Sequence, residues 1–140
     1  MSEKVSIGIL AVQGAFAEHQ AMLDGLGADT FLIRQKKDLE EAVQNGRLQG
    51  IVLPGGESTV QGKLLRDLGM SDQLKELIEA GTPVLATCAG LILLAERVSN
   101  DDRAYLKTLP VSVKRNAYGR QLGSFVTDAE IAHIGTYRMN

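Results

Sequence analysis

Four short runs are apolar at almost every position: "VSIGILAV" (5–12), "TFLIR" (30–34), "GIVLP" (50–54) and "PVLAT" (83–87). A strand that is apolar on both sides must be covered on both faces, and parallel strands need crossovers long enough to hold a helix. The stretches between the runs carry helical periods. Phe16, His19, Leu23 and Leu26 recur at helical spacing before Gly25 and Gly27 supply a stop, and "KDLEEAVQ" reads as a short helix. Strand–helix alternation over the first hundred residues therefore predicts an α/β fold, an open, mostly parallel sheet with helices on both faces.

Several boundaries follow from local chemistry. Ser58 and Gln61 have the spacing of a capping box that opens a helix after "LPGG". Leu74, Leu77 and Ile78 share one helical face, Gly81 stands where a C′ glycine belongs, and Pro83 lies just beyond. "AGLILLAERV" reads as one helix following "PVLAT". Past Ser99, "NDDRAYLK" reads as a loop or helical turn, and "VSVKR" and "LGSFV" as strands joined by the basic turn "NAYG". "IGTYRMN" reads as the start of a further strand, so the 140 residues are expected to form a single domain lacking its C-terminal portion.

Composition narrows the function classes. A net charge of −2 gives no reason to expect nucleic acid or an anionic membrane as partner. No apolar stretch approaches a membrane span, and "MSEKVSIGIL" lacks the basic start and cleavage site of a secretory signal. One cysteine cannot form an internal disulfide, so a reducing cytoplasm is expected. Aromatic residues make up 4% of the chain and Trp is absent, which argues against stacking on bases or sugars. No cofactor and no metal is expected.

Ligands of open parallel sheets gather beyond the carboxyl ends of the strands. "QGAF", "PGGEST" and "TCAG" are expected there. In "ATCAG", Ala86 and Gly90 flank Cys88 two residues to either side. A sharp strand-to-helix turn needs small residues at such places, as in the elbow that presents a nucleophile. The sulfur would meet the first turn of a helix, whose amides favour thiolate, and the Ala89 N–H could stabilise an oxyanion. The competing reading is a small buried hydrophobe; the spacing of small residues favours the nucleophile.

In "LPGGEST", paired glycines let the backbone approach a ligand and Glu57 could take an ammonium group, although a tight turn capped by Glu57 is the simpler reading of that stretch alone. No Gly-Lys-Ser/Thr closes the loop, so it is not a nucleoside-triphosphate loop. "VKRNAYGRQ" gathers Lys114, Arg115 and Arg120, which suit a carboxylate or a plain solvated turn. His19 falls on the apolar face of its helix as a structural residue would. His133 has no evident carboxylate partner, so neither histidine is expected to be the base of Cys88.

Together, "ILAVQGAFAEH", "LPGGEST", "ATCAGLILLA" and "KRNAYGRQLGSF" resemble the glutaminase subunits of pyridoxal 5′-phosphate synthases, a branch of the class I glutamine amidotransferases. The resemblance runs from about Val5 to Phe125, with the motifs in the family's order. It implies a flavodoxin-like sheet and a glutaminase that passes ammonia to a (β/α)8-barrel synthase partner. By the same resemblance Cys88 is the nucleophile, and Gly56, Glu57 and Ser58 bind L-glutamine. Gly56 and Ala89 serve the oxyanion, Arg115 holds the substrate carboxylate, and Gln13 lies near the site and the synthase interface. The family's base sits in a His-x-Glu motif nearer the C-terminus, and no His-x-Glu occurs in these 140 residues. The chain as it stands is therefore expected to lack its general base. Two alternatives remain open: a non-catalytic binding module of the same fold, and a related cysteine hydrolase that would need His133 beside Cys88.

Overall fold

A computed structural model describes residues 3–99, 101–116 and 125–139. Strands β1 (Ser6–Leu10), β2 (Asp29–Ile33), β3 (Gly50–Leu53) and β4 (Val84–Ala86) form one parallel sheet in the order β2-β1-β3-β4. Helices fill the crossovers: α1 (Phe16–Gly25), α2 (Lys36–Gln44), and the pair α3 (Ser58–Asp67) and α4 (Ser71–Glu79). The chain leaves β1 toward β2 on one side and returns to place β3 on the other. This reversal opens a crevice beyond the carboxyl ends of β1 and β3, where an open α/β sheet binds its ligand. The turns that end there carry the "QG" and "PGG" sequences.

Side-chain alternation divides the sheet into two faces. Leu10, Ile33, Ile51 and Leu53 join Leu39, Leu65, Leu74 and Leu93 of the helices in the main core. The other parity, Ile7, Val52 and Leu85, lies beside Leu23 of α1. Helix α1 buries no residue fully; Met22 on it and Leu26 just after it are exposed. The expected α/β sheet with helices on both faces is thus the observed one.

Three local expectations change. The helix after "LPGG" is capped by Glu57, whose carboxylate accepts from the Thr59 N–H at 3.3 Å, rather than by a Ser58/Gln61 box. Ser58 is instead the first helical residue, and Gln61 is fully buried and bonded elsewhere. The run "AGLILLAERV" is divided into α5 (Ala89–Leu94) and a strand, β5 (Ala95–Val98). Its helix stops because the N–H groups of Leu106 and Thr108 take the carbonyls of Leu93 and Leu94, both at 2.9 Å. The next segment then pairs in parallel with β6 (Leu109–Val113).

The third change concerns "LGSFV". Phe125 and Val126 are not in a strand but precede one, β7 (Thr127–Ile131), that pairs with β8 (Gly135–Met139) as a hairpin. The remainder of "LGSFV", and "NAYG" after Asn116, lie outside the described residues.

Helix α5 packs directly on β3. A Cβ on Gly90 would collide with the Leu53 carbonyl oxygen, a backbone atom that cannot step aside. Gly90→Ala is therefore expected to lower the unfolding free energy by about 1–3 kcal/mol, despite alanine's better helix propensity. Urea denaturation of the two proteins measures the difference.

Candidate active site

Cys88 joins β4 to α5 at φ 48° and ψ −107°, a backbone conformation that costs an L-residue about 1–3 kcal/mol. It is held there from both ends. The Thr87 N–H donates to the Leu53 carbonyl at 3.0 Å, tying the end of β4 to β3, and the Gly90 N–H donates to the Thr87 carbonyl at 2.8 Å. Ala89 and Gly90 are buried behind the turn while Cys88 itself is exposed. The Ala89 N–H, first in its helix, has no intrahelical acceptor. Cys88 is thus an accessible thiol on a strained elbow, and the buried-hydrophobe reading is set aside.

The turn after β3 faces this elbow. A Cβ on Gly55 would lie 3.5 Å from the Cys88 Cβ. The Gly55 carbonyl accepts from the Ala15 N–H at 2.9 Å, which brings the loops after β1 and β3 into backbone contact. The approach demands glycine: a Cβ on Gly14 would collide with the Gly55 oxygen, and one on Gly56, at φ 153°, would come within 2.5 Å of the Gln13 Oε1.

Gln13 and Gln61 lock the two loops together. Gln13 Oε1 accepts from the Glu57 N–H at 3.0 Å. The buried Gln61 Nε2 donates to the Gln13 carbonyl at 3.1 Å and the Pro54 carbonyl at 3.2 Å.

A chain of charged side chains runs outward from Glu57. Arg115 donates from Nη2 to Glu57 Oε1 at 3.2 Å and from Nη1 to Asp101 Oδ2 at 3.0 Å. Arg103 grips the same Asp101 through Nε, at 2.9 and 3.1 Å, and Nη2, at 2.7 Å, and its backbone N–H adds a bond at 2.9 Å. Arg103 donating from side chain and backbone holds the Asp101 carboxyl well below its ordinary pKa of 3.8, and Arg115 adds to the effect. Asp101 in turn raises the pKa of Arg103.

The structure therefore brings Cys88, Ala89, Gly56, Glu57, Gln13 and Arg115 into one connected constellation at the crevice. Ser58 is buried under the helix start. Lys114 is exposed, and Arg120 lies outside the described residues. His19 is half-buried, its Nε2 2.9 Å from Thr87 Oγ1, one residue before Cys88. His133 sits in the β7–β8 turn, and no hydrogen bond among the described residues joins either imidazole to Cys88. Sequence reasoning missed Gln61 as a loop clamp, and Asp101 and Arg103 as the support of Arg115. The adjacency of "DDR" was the only signal for the latter pair, and it does not say which distant residue they meet.

The described residues contain no group of three or more His, Cys, Asp or Glu placed to hold a metal ion, and no helix long and apolar enough to cross a membrane. A parallel sheet with a strained, exposed cysteine elbow beside its switch point is the arrangement of a thiol-bearing α/β protein. The chain belongs to the SNO glutamine amidotransferase family, whose model matches residues 9–138.

Among its relatives is a "Pyridoxal 5′-phosphate synthase subunit PdxT" of Desulfitobacterium hafniense. It is 56% identical over 133 residues, covering 95% of this chain and 64% of that protein. A protein of the same description from Streptococcus pneumoniae is 50% identical over 135 residues, covering 96% of this chain and 69% of the relative. A solved structure described as a glutamine amidotransferase superposes with a TM-score of 0.79 at 39% identity, covering 94% of this chain and 68% of that one. The chain thus spans 64% of the length of the Desulfitobacterium relative.

Two outcomes test this geometry. Glycine accepts the φ of 48° that alanine resists, so Cys88→Gly is expected to be more stable than Cys88→Ala by about 1 kcal/mol, read from paired thermal or urea melts. The second concerns acid. A carboxyl whose pKa is depressed by folding stabilises the fold above its ordinary value and loses that contribution as pH falls. The wild type is therefore expected to lose stability below pH 3.8 more steeply than Asp101→Asn, measured by urea melts across that range.

Proposed function

We propose that the protein is the glutaminase of a pyridoxal 5′-phosphate synthase, acting on L-glutamine with Cys88 as nucleophile. The observation that carries the reading is the exposed thiol at positive φ, set against the glycine turn and within one contact chain of Glu57 and Arg115. An α-amino acid presents a carboxylate and an ammonium group side by side. Arg115 and Glu57, paired at 3.2 Å, offer the complementary charges in the same arrangement. A substrate that inserts between them exchanges one ion pair for two.

With the α-groups so held, the side-chain amide extends toward Cys88. The thiolate attacks the amide carbon, and the oxyanion that forms is assigned to the N–H groups of Gly56 and Ala89. The C–N bond breaks, ammonia leaves with a proton, and a γ-glutamyl thioester remains. Water then attacks this thioester, releasing glutamate and restoring the thiol. The proton transfers need a base. Since neither imidazole is bonded to Cys88, the reading assigns that role to a residue outside the described set, in keeping with the His-x-Glu motif that the family resemblance implies. The ammonia is delivered to a synthase subunit, for which the PdxT relatives' description and the family resemblance argue. Gln13 and the exposed start of α1 stand on the side expected to meet it. The single cysteine, which can form no internal disulfide, argues for a reducing, cytoplasmic setting.

Ammonia release from L-glutamine, assayed with the synthase subunit and with the chain extended to its relatives' full length, tests the proposal. Cys88→Ala is expected to abolish release, and Arg115→Ala to raise KM by about tenfold or more. No release from the extended form, together with no labelling of Cys88 by a glutamine-like electrophile, would overturn it. Synthase binding that survives Cys88→Ala without turnover in any form would point instead to a non-catalytic module.

A further inference from the structure

We infer that Asp101 is a positioning residue for Arg115, holding the guanidinium by Nη1 so that Nη2 can pass from Glu57 to the substrate carboxylate. The inference deepens the glutaminase reading and rests on it. Two carboxylates share Arg115, and their surroundings differ. The Glu57 side chain is 52% exposed and that of Asp101 13%. An exposed ion pair is weak and exchanges readily, whereas a shielded carboxylate with several donors keeps its geometry.

Asp101 has those donors, because Arg103 binds it through Nε, Nη2 and the backbone N–H. Its orientation is therefore set before Arg115 arrives. A substrate carboxylate would consequently displace Glu57 and not Asp101, and the released Glu57 oxygen would stand ready for the ammonium group. Arginine carries a large rotamer entropy, and holding it in place in advance removes that cost from binding. Glu57, Arg115, Asp101 and Arg103 together carry no net charge, which suits a zwitterionic substrate.

The only cysteine of the chain makes the test direct. Alkylation of Cys88 by iodoacetamide is followed by intact mass while L-glutamine is titrated in as protectant, which reads binding without requiring turnover. Asp101→Asn is expected to raise the half-protecting glutamine concentration about tenfold, with the alkylation rate in the absence of glutamine unchanged. Asp101→Glu, which restores the charge, is expected to fall between Asn and wild type.

Protection of Asp101→Asn equal to that of the wild type overturns the inference alone. So does a parallel change in unprotected alkylation, since a merely structural residue would disturb both. Should Asp101→Asn fail to fold, Arg103→Gln, which loosens Asp101 without touching Arg115, is expected to raise the half-protecting concentration as well, and no rise overturns the inference. Failure of glutamine to protect Cys88 even in the wild type extended to its relatives' full length overturns the glutaminase reading, and this inference with it.

Discussion

The hydrogen bond from the Ala15 N–H to the Gly55 carbonyl sets the distance between the loops that follow β1 and β3, and the candidate site is arranged around it. Two backbones can approach this closely only where Cβ atoms are missing, hence Gly14 and Gly56 at the contact. Gln61 then secures the approach from below by donating to one carbonyl of each loop. Because the chain reverses its direction of travel across the sheet between β1 and β3, these loops lead to helices on opposite faces of the sheet. The loops form one wall of the crevice, and the Cys88 elbow after β4 stands against it.

The same crevice concentrates features that a fold optimised for stability alone would not keep. Cys88 holds an unfavourable φ in an exposed position, and Arg115 with its acidic partners spans the mouth. The strained elbow leaves Cys88 exposed, and its cost is offset by the packing of Ala89, Gly90 and Leu93 behind it. Asp101 plays a similar part for charge, because a short carboxylate fixed by Arg103 keeps a long guanidinium from wandering.

Much of this was legible in the chain. Doubly apolar runs have only one comfortable place, the inside of a parallel sheet, so β1 to β4 and their crossovers could be read from pattern alone. The small residues around Cys88 and the glycine pair before Glu57 marked the two turns correctly, because tight turns select residues by local sterics. Pattern failed at "AGLILLAERV", where a short apolar run serves helix and strand equally well. Backbone donors from Leu106 and Thr108 made the division. It failed also at Gln61, read as half of a local capping box but drawn by burial into bonding two distant loops.

What the sequence determined by itself, then, was the class of fold, the turns beyond its strands and the residue types at each, because periodicity and backbone sterics act over a few neighbours. Which of those turns touch, and which side chains support one another across them, was decided only by the tertiary structure. Arg115 meets Asp101 fourteen residues away and Glu57 fifty-eight residues away. No local rule encodes such partners. They arise because the segments after β5 and β6 are brought beside the turn after β3, where Arg115 reaches a carboxylate from each side.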